Sequence, residues 1–207
     1  MMLADALAEG LRALGLDLPA SARQQLLDYL ALIEKWNKTY NLTAIHAREH
    51  MIREHLLDSL VVAPHISAGL LLDLGSGAGL PGIPLAVARP DLNVTLLESS
   101  AKKCAFLRQV VIELALGDVD VACQRAEAYR PSTTFDSVIA RAFADLKTIA
   151  ALGFPLLAPG GRLFAMKGVE PIEELSKLGR AAHVESVIRL QVPGLSAQRH
   201  LVVMTKA

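Results

Sequence analysis

The residues with the clearest chemical potential form the run Asp73-Leu74-Gly75-Ser76-Gly77-Ala78-Gly79, three glycines at alternate positions directly behind a short apolar stretch. Glycines in such a loop let the backbone turn tightly and approach a ligand with no Cβ in the way. The dinucleotide fingerprint G-x-G-x-x-G would place its third glycine at position 80, which is Leu80, so the spacing disfavours NAD and the oxidoreductase class with it. No G-x-x-x-x-G-K-[ST] occurs, which removes P-loop chemistry. Glu98 closes the next apolar stretch, where a carboxylate can accept both hydrogen bonds from a ribose diol. Pro81 and Pro84 near the start of the following helix suit a ligand that lays no phosphate on the helix N-terminus. S-adenosylmethionine meets these conditions, with Asp73, Gly75, Gly77, Gly79, Leu80 and Glu98 as its candidate contacts.

The fourth apolar run ends in Ala140-Arg141-Ala142-Phe143-Ala144. In methyl-transfer enzymes this place lies nearest the reacting methyl group. Here it holds neither the [DNS]-P-P-[YFW] of amino-group methylation nor the nucleophilic cysteine that pyrimidine C5 chemistry needs. An acceptor nitrogen with its own lone pair remains. Guanine N7 is such a nitrogen: it is unprotonated at neutral pH and can attack a sulfonium methyl directly, so alignment matters more than a general base. Arg141 is the candidate that orients the base, by stacking on it or bonding to O6. Its alternative is a structural salt bridge to a strand-end carboxylate. Lys167 and Asn41 complete the catalytic candidates, and Asn41 and His200 are read as pocket wall, with satisfaction of local backbone groups as their alternative.

Two other constellations carry less. His55, Asp58 and Ser59 have the composition of a catalytic triad but lie in one helical pattern without a strained elbow to expose the serine. His50, Glu54 and His55 miss the H-x-x-E-H zinc pattern by one residue, and no metal site is expected. Both histidines are expected to pack or hydrogen-bond where N-terminal helices meet the sheet.

The elements that must position these residues follow from periodicity. Leu3, Leu7, Leu11 and Leu14 mark a first amphipathic helix ending near Gly15. Ser21-x-x-Gln24 has the form of a capping box opening a second, and Met51, Ile52, Leu56 and Leu60 mark a third over about 48–62. From Leu70 the pattern changes to short apolar runs at 70–74, 94–97, 119–122, 137–140 and 162–166. Helical stretches alternate with them at 83–88, 101–116, 146–157 and 171–178, as βαβ units require. Runs at 184–190 and 200–205 finish the chain, the last expected antiparallel. The fold class expected is α/β: a Rossmann-like, S-adenosylmethionine-dependent methyltransferase sheet with an N-terminal helical extension, residues 1–65 forming the extension and 66–207 the core of one domain.

Lys plus Arg and Asp plus Glu both number 21 in the 207 residues, so a nucleic-acid substrate must be held by a local basic face. Lys102, Lys103, Arg108, Lys147, Lys167 and Arg199 could supply one. Cys104 and Cys123 form no C-x-x-C pair, and a reduced, cytoplasmic protein is the reading they support. No apolar run approaches the roughly 18 residues of a membrane span. A monomer is expected.

Together the segments Trp36-Asn37-Lys38-Thr39-Tyr40-Asn41-Leu42-Thr43, His55-Leu56-Leu57-Asp58-Ser59, the run 73–86, Phe106-Leu107-Arg108-Gln109-Val110, Arg141-Ala142-Phe143-Ala144, Lys167-Gly168 and Arg199-His200-Leu201-Val202-Val203 resemble the RsmG (GidB) family. Those proteins methylate guanine N7 in 16S ribosomal RNA. The resemblance covers residues 36–203 and implies a guanosine of the decoding-region loop as target, and the RNA or the small ribosomal subunit as partner. It implies that Gly75 and Leu80 line the cofactor, that Ala126 and Glu127 lie beside its adenine, and that Arg141 reaches the cofactor or the base. Ala128 replaces the family's frequent second acid. Lys102, Lys103, Arg199 and His200 are the RNA-contact candidates. Another S-adenosylmethionine-dependent nucleic-acid methyltransferase, or a cofactor-binding assembly factor, is the alternative.

Overall fold

The computed structural model describes residues 2–179 and 182–207. The seven apolar runs become one seven-stranded sheet: β1 (Gly69–Leu74), β2 (Leu92–Glu98), β3 (Val119–Cys123), β4 (Phe135–Arg141), β5 (Leu157–Lys167), β6 (Ala182–Leu190) and β7 (Arg199–Lys206). Their order is β3-β2-β1-β4-β5-β7-β6. The first five run parallel, and β7 enters antiparallel between β5 and β6, as expected for the final strand. This sheet, with helices on both faces, is the Rossmann-like methyltransferase fold.

Helices cover both faces, so the strands are apolar on both sides and successive residues enter opposite layers. Leu71, Val94, Ile139, Phe164 and Leu201 join one core layer, and Leu72, Leu97, Val138, Leu163 and Val202 the other. The same alternation aims the polar residues at the strand ends. Asp73, Arg141 and Arg199 share the parity of the first layer, Lys167 and His200 that of the second.

The first layer is completed by the N-terminal helices α1 (Leu3–Ala13), α2 (Ala20–Tyr40), α3 (Arg48–Met51) and α4 (Asp58–Leu60), the last two joined by a π-helical stretch, Ile52–Leu57. Leu7, Leu11, Leu26, Tyr29 and Ile33 are buried in the same cluster as the sheet residues and as α5 (Gly82–Ala88) and α6 (Ala101–Glu113). Gly10 lets α1 close onto Leu57, where a Cβ would collide with the leucine side chain. On the other face lie α7 (Leu146–Gly153) and the short α8 (Ile172–Ser176).

Three expectations need correction. Pro19 takes the N-cap position of α2, so Ser21 falls inside the helix, and the Gln24 amide donates to Asp28 (2.9 Å); there is no capping box. The helix behind β4 stops at Gly153 and continues as a 3-10 turn, Phe154–Leu156, because Pro155 cannot extend the α ladder. Cys104 and Cys123 are joined in a disulfide rather than reduced and apart. The β2–β3 register places Cys123 opposite Glu98, beside the first turn of α6, a proximity that spacing along the chain does not reveal. Among the described residues no helix is long and apolar enough to cross a membrane.

The N-terminal helices reach the glycine loop directly: the fully buried Tyr29 hydroxyl donates to the Ala78 carbonyl at 2.6 Å. Removing the hydroxyl leaves that carbonyl unpaired in an apolar layer, which costs about 1–3 kcal/mol. Tyr29→Phe should therefore unfold at lower denaturant concentration with unchanged m-value, and should bind S-adenosylhomocysteine more weakly. Equal stability would mean that Ala78 finds another donor.

Candidate active site

All five parallel strands end on one edge of the sheet, the place where open α/β sheets bind ligands. A cavity of about 430 Å³ opens there, lined by Gly75, Ser76, Gly77, Leu80 and Glu98 and by Ala126, Glu127, Arg141 and Phe143. The β1–α5 loop forms its floor. Gly77 has φ +60°, a left-handed conformation that strains a residue with a Cβ, and the nearest atom to an added Cβ is the Gly75 carbonyl at 4.0 Å. The glycine therefore presents bare backbone to open space. Gly75 (φ +75°) serves differently, since a Cβ there would strike the ring of Phe143, which folds over the loop.

Glu98 is buried (7% exposed) rather than a solvated strand-end charge. Its Oε2 accepts from the Gly77 N–H (2.9 Å) and its Oε1 from the Ser100 N–H (2.8 Å), so the carboxylate straps the loop to the start of α6 while facing the cavity. Remaining lone pairs on both oxygens can accept from a diol. Beyond it the 3-10 turn Ala126–Ala128 supplies Ala126 and Glu127 as wall. Bare glycine backbone, an acid at the end of β2 and the apolar walls of Leu80, Leu97 and Ala126 fit the hydroxyls and flat base of an adenosine moiety.

Several predicted residues lie elsewhere. Asp73 and Gly79 do not line the cavity; they act from behind the loop. Asp73 is fully buried and accepts from the Gly82 N–H at 2.9 Å, while the missing Cβ of Gly79 makes room for Ile83 and Leu107. Asn41 is exposed and ends α2 in the left-handed conformation (φ 50°), a role asparagine tolerates, and its neighbours Leu42 and Thr43 reach the cavity instead. Lys103 lines this cavity, whereas Lys102 is solvent-exposed on α6.

A second cavity of about 410 Å³ adjoins the first, and His55, Arg141 and Ala142 line both. Lys167, Arg199 and His200 line it too, so the β4, β5 and β7 candidates do come together. Their charges are spoken for. Arg141 donates to Asp58 Oδ2 (2.7 Å) and to the Glu54 carbonyl (3.1 Å), and Arg199 donates to Asp58 Oδ1 (2.6 Å). Asp58 is buried, with a side chain 5% exposed. The π-helical stretch that precedes it leaves the Glu54 carbonyl to a side-chain donor. Lys167, on the opposite parity, donates to Glu174 (2.8 Å) and to the Ala144 carbonyl (2.9 Å). His200 is buried, with Nδ1 3.3 Å from the Gly168 carbonyl. His55 is the functional-site residue that sequence reasoning set aside. It is buried, its Nε2 lies 3.0 Å from the Thr43 hydroxyl, and desolvation, then the Arg141 charge, lower its pKa to about 4.

The sheet order and the cavity at the β1, β2 and β4 ends define an S-adenosylmethionine-dependent methyltransferase. Solved structures share this fold: the glycopeptide N-methyltransferase MtfA complexed with S-adenosylmethionine matches with a TM-score of 0.65 over 74% of this chain and 87% of its own, at 14% identity. The mitomycin 7-O-methyltransferase MmcR matches with a TM-score of 0.61 over 77% of this chain and 56% of its own, at 17% identity. The profile of the GidB family, rRNA small subunit methyltransferase G, matches residues 22–202, and the chain belongs to that family. Relatives with the name ribosomal RNA small subunit methyltransferase G include those of Chromobacterium violaceum, 51% identical over 96% of this chain and 95% of the relative, and Nitrosospira multiformis, 50% identical over 97% and 96%.

Beneath the loop, desolvation raises the Asp73 pKa from 3.8 to about 7, and its Oδ1 has no partner among the described residues. A carboxyl raised on folding holds its proton longer in the native state. Its contribution to stability is complete below pH 3.8 and is lost as pH rises through about 7. His55 acts in the opposite sense, losing stability as pH falls from 6.5 towards 4. The two are separated by difference: the melting temperature of Asp73→Asn minus that of the wild type should rise between pH 4 and pH 7. A difference independent of pH would mean that Asp73 is ionised throughout.

Proposed function

We propose that this protein transfers a methyl group from S-adenosylmethionine to N7 of a guanosine in 16S ribosomal RNA, acting in the cytoplasm as a monomer on the RNA or the small subunit. The observation that carries the choice of acceptor is the junction between the two cavities. Its imidazole, His55, is a poor proton acceptor at neutral pH, with a pKa of about 4 and Nε2 engaged by Thr43. An exocyclic amine or a hydroxyl would need a base there; N7 has a free lone pair and needs none.

When bound, the cofactor supplies an electrophilic methyl on sulfonium sulfur. The Gly77 backbone and Glu98 hold the adenosine end, Phe143 and Leu80 exclude water beside it, and Arg141 fixes the acceptor base. Arg141 must leave N7 unoccupied, so its contact is to O6, to the base face or to the cofactor. Asp58 holds the guanidinium in place for that role. Lys102 supplies exposed charge for RNA, whereas Arg199 acts by bracing Asp58 and His200 by closing the pocket wall.

Tritiated methyl transfer to small subunits lacking the modification, followed by mapping of the labelled nucleoside, tests this reading; label at an amine, or cofactor binding without transfer, would refute it. The single-turnover rate should stay nearly constant between about pH 6 and pH 9, because no proton leaves before attack. A steep limb near neutrality would point to an acceptor that must lose a proton. Arg141→Lys keeps the charge but not the planar fork, so the rate should fall about tenfold or more with S-adenosylhomocysteine affinity little changed. Full turnover would reduce Arg141 to a structural ion pair.

A further inference from the structure

The second cavity contains two carboxylates in different states. Asp58 gives one oxygen to Arg141 and the other to Arg199, so both of its oxygens are held by guanidinium groups. Glu54, one helical turn earlier, is partly exposed. Its side chain meets only His50, at 3.6 Å through Oε1, among the described residues. Oε2 is therefore an acceptor without a protein donor among the described residues, on the wall of a cavity in which Arg141, Arg199 and Lys167 each already donate to a protein carboxylate. Ile45, Met166 and Leu190 supply apolar surface in the same cavity.

We infer that this cavity receives the target base, and that Glu54 reads its Watson–Crick edge. The inference rests on the function proposed above and adds how guanine is distinguished. Guanine alone among the four bases places two adjacent donors, N1–H and N2–H₂, on that edge, and a carboxylate accepts from both. Adenine would turn its N1 lone pair towards the carboxylate, which repels it. Next to N1 on the same edge, O6 is an acceptor and meets the remaining guanidinium N–H groups of Arg141 at the boundary with the first cavity, which leaves N7, on the adjoining edge, towards that cavity. The apolar residues contact the ring faces. Because Arg141 is anchored to the Glu54 backbone carbonyl, donor and acceptor sides of the pocket are tied together through one residue.

Titrations of the S-adenosylhomocysteine complex with GMP, IMP and AMP, followed on the Met166 methyl resonance, test this without reference to turnover. GMP should bind about tenfold more tightly than IMP, which lacks the N2 amine, with AMP weaker still. Glu54→Gln should bring the GMP to IMP ratio close to one, with unchanged cofactor affinity and melting temperature. His50→Gln, which removes the imidazole neighbouring Glu54, should leave the ratio intact. In the methyl-transfer assay on small subunits, Glu54→Gln should raise KM or lower kcat, whereas His50→Gln should do neither. An unmoved Met166 signal, a Glu54→Gln variant that keeps the wild-type ratio, or a His50→Gln variant that loses it as fully, would overturn the inference. GMP selectivity in a protein that labels no ribosomal RNA would instead refute the proposed function and leave the pocket assignment standing.

Discussion

One buried carboxylate organises the catalytic edge. Asp58 leaves the N-terminal helices and is met by guanidinium groups from two strands, Arg141 at the end of β4 and Arg199 at the start of β7. A charge buried to that degree is tolerated only when it is paired, and removing one partner of such a pair commonly costs about 3–5 kcal/mol. The pairing therefore does more than join surfaces. It fixes the rotation of α4 against the sheet, it sets how far β7 slides beside β5, and it holds Arg141 at the boundary of two cavities. The π-helical stretch belongs to the same arrangement, because the Glu54 carbonyl provides the second acceptor that Arg141 uses.

The N-terminal helices are consequently part of the site. They support the cofactor floor through Tyr29 and Ala78, wall the first cavity with Thr43, and contribute Glu54, His55 and Asp58 to the second. A bare Rossmann-like sheet would keep the glycine loop and Glu98 but would lose Thr43, Glu54, His55 and Asp58 from the cavity walls. Solved methyltransferases at 14% and 17% identity match about three quarters of this chain, a likeness of fold.

The difference between what was and was not legible in the sequence follows the range of the interactions. The strands were readable because burial on both faces demands continuous apolar runs, and the glycine loop because its conformation restricts residue type locally. Element starts were less so: Ser21 has the right chemistry for a cap, yet Pro19 already stands at the helix boundary. Within the loop, type alone did not separate Gly77, which faces the ligand space, from Gly79, which makes room for Ile83 and Leu107, nor expose Asp73 as a buried strut. Strand parity would have helped, since Asp73 alternates with Leu72 and Leu74 and so points away from their layer, towards α5. Contacts across 83 and 141 residues, such as Asp58 with Arg141 and Arg199, have no local signature at all. For the same reason His55, Asp58 and Glu54 looked like failed triad and zinc patterns, and the cysteine pair looked unconnected.

The Asp58 clamp also bears on the charge change that N7 methylation brings. The acceptor is neutral before attack and cationic after it, and Arg141 lies on the same boundary. Two unit positive charges about 4 Å apart repel by roughly 4 kcal/mol at an effective dielectric constant near 20. Left alone, an arginine with the aligning role proposed for Arg141 would oppose the reaction it aligns. Asp58 at 2.7 Å opposes that charge at short range, though its own charge is shared with Arg199, and leaves the planar N–H array available. Arg199, on the other carboxylate oxygen, keeps Asp58 from rotating away from its task. A lysine at position 141 would keep the charge, but as a point charge without the planar array that holds the base in register. The geometry thus separates two properties of one guanidinium, retaining its directionality and moderating its field, and this suits an alkylation whose product is a cation.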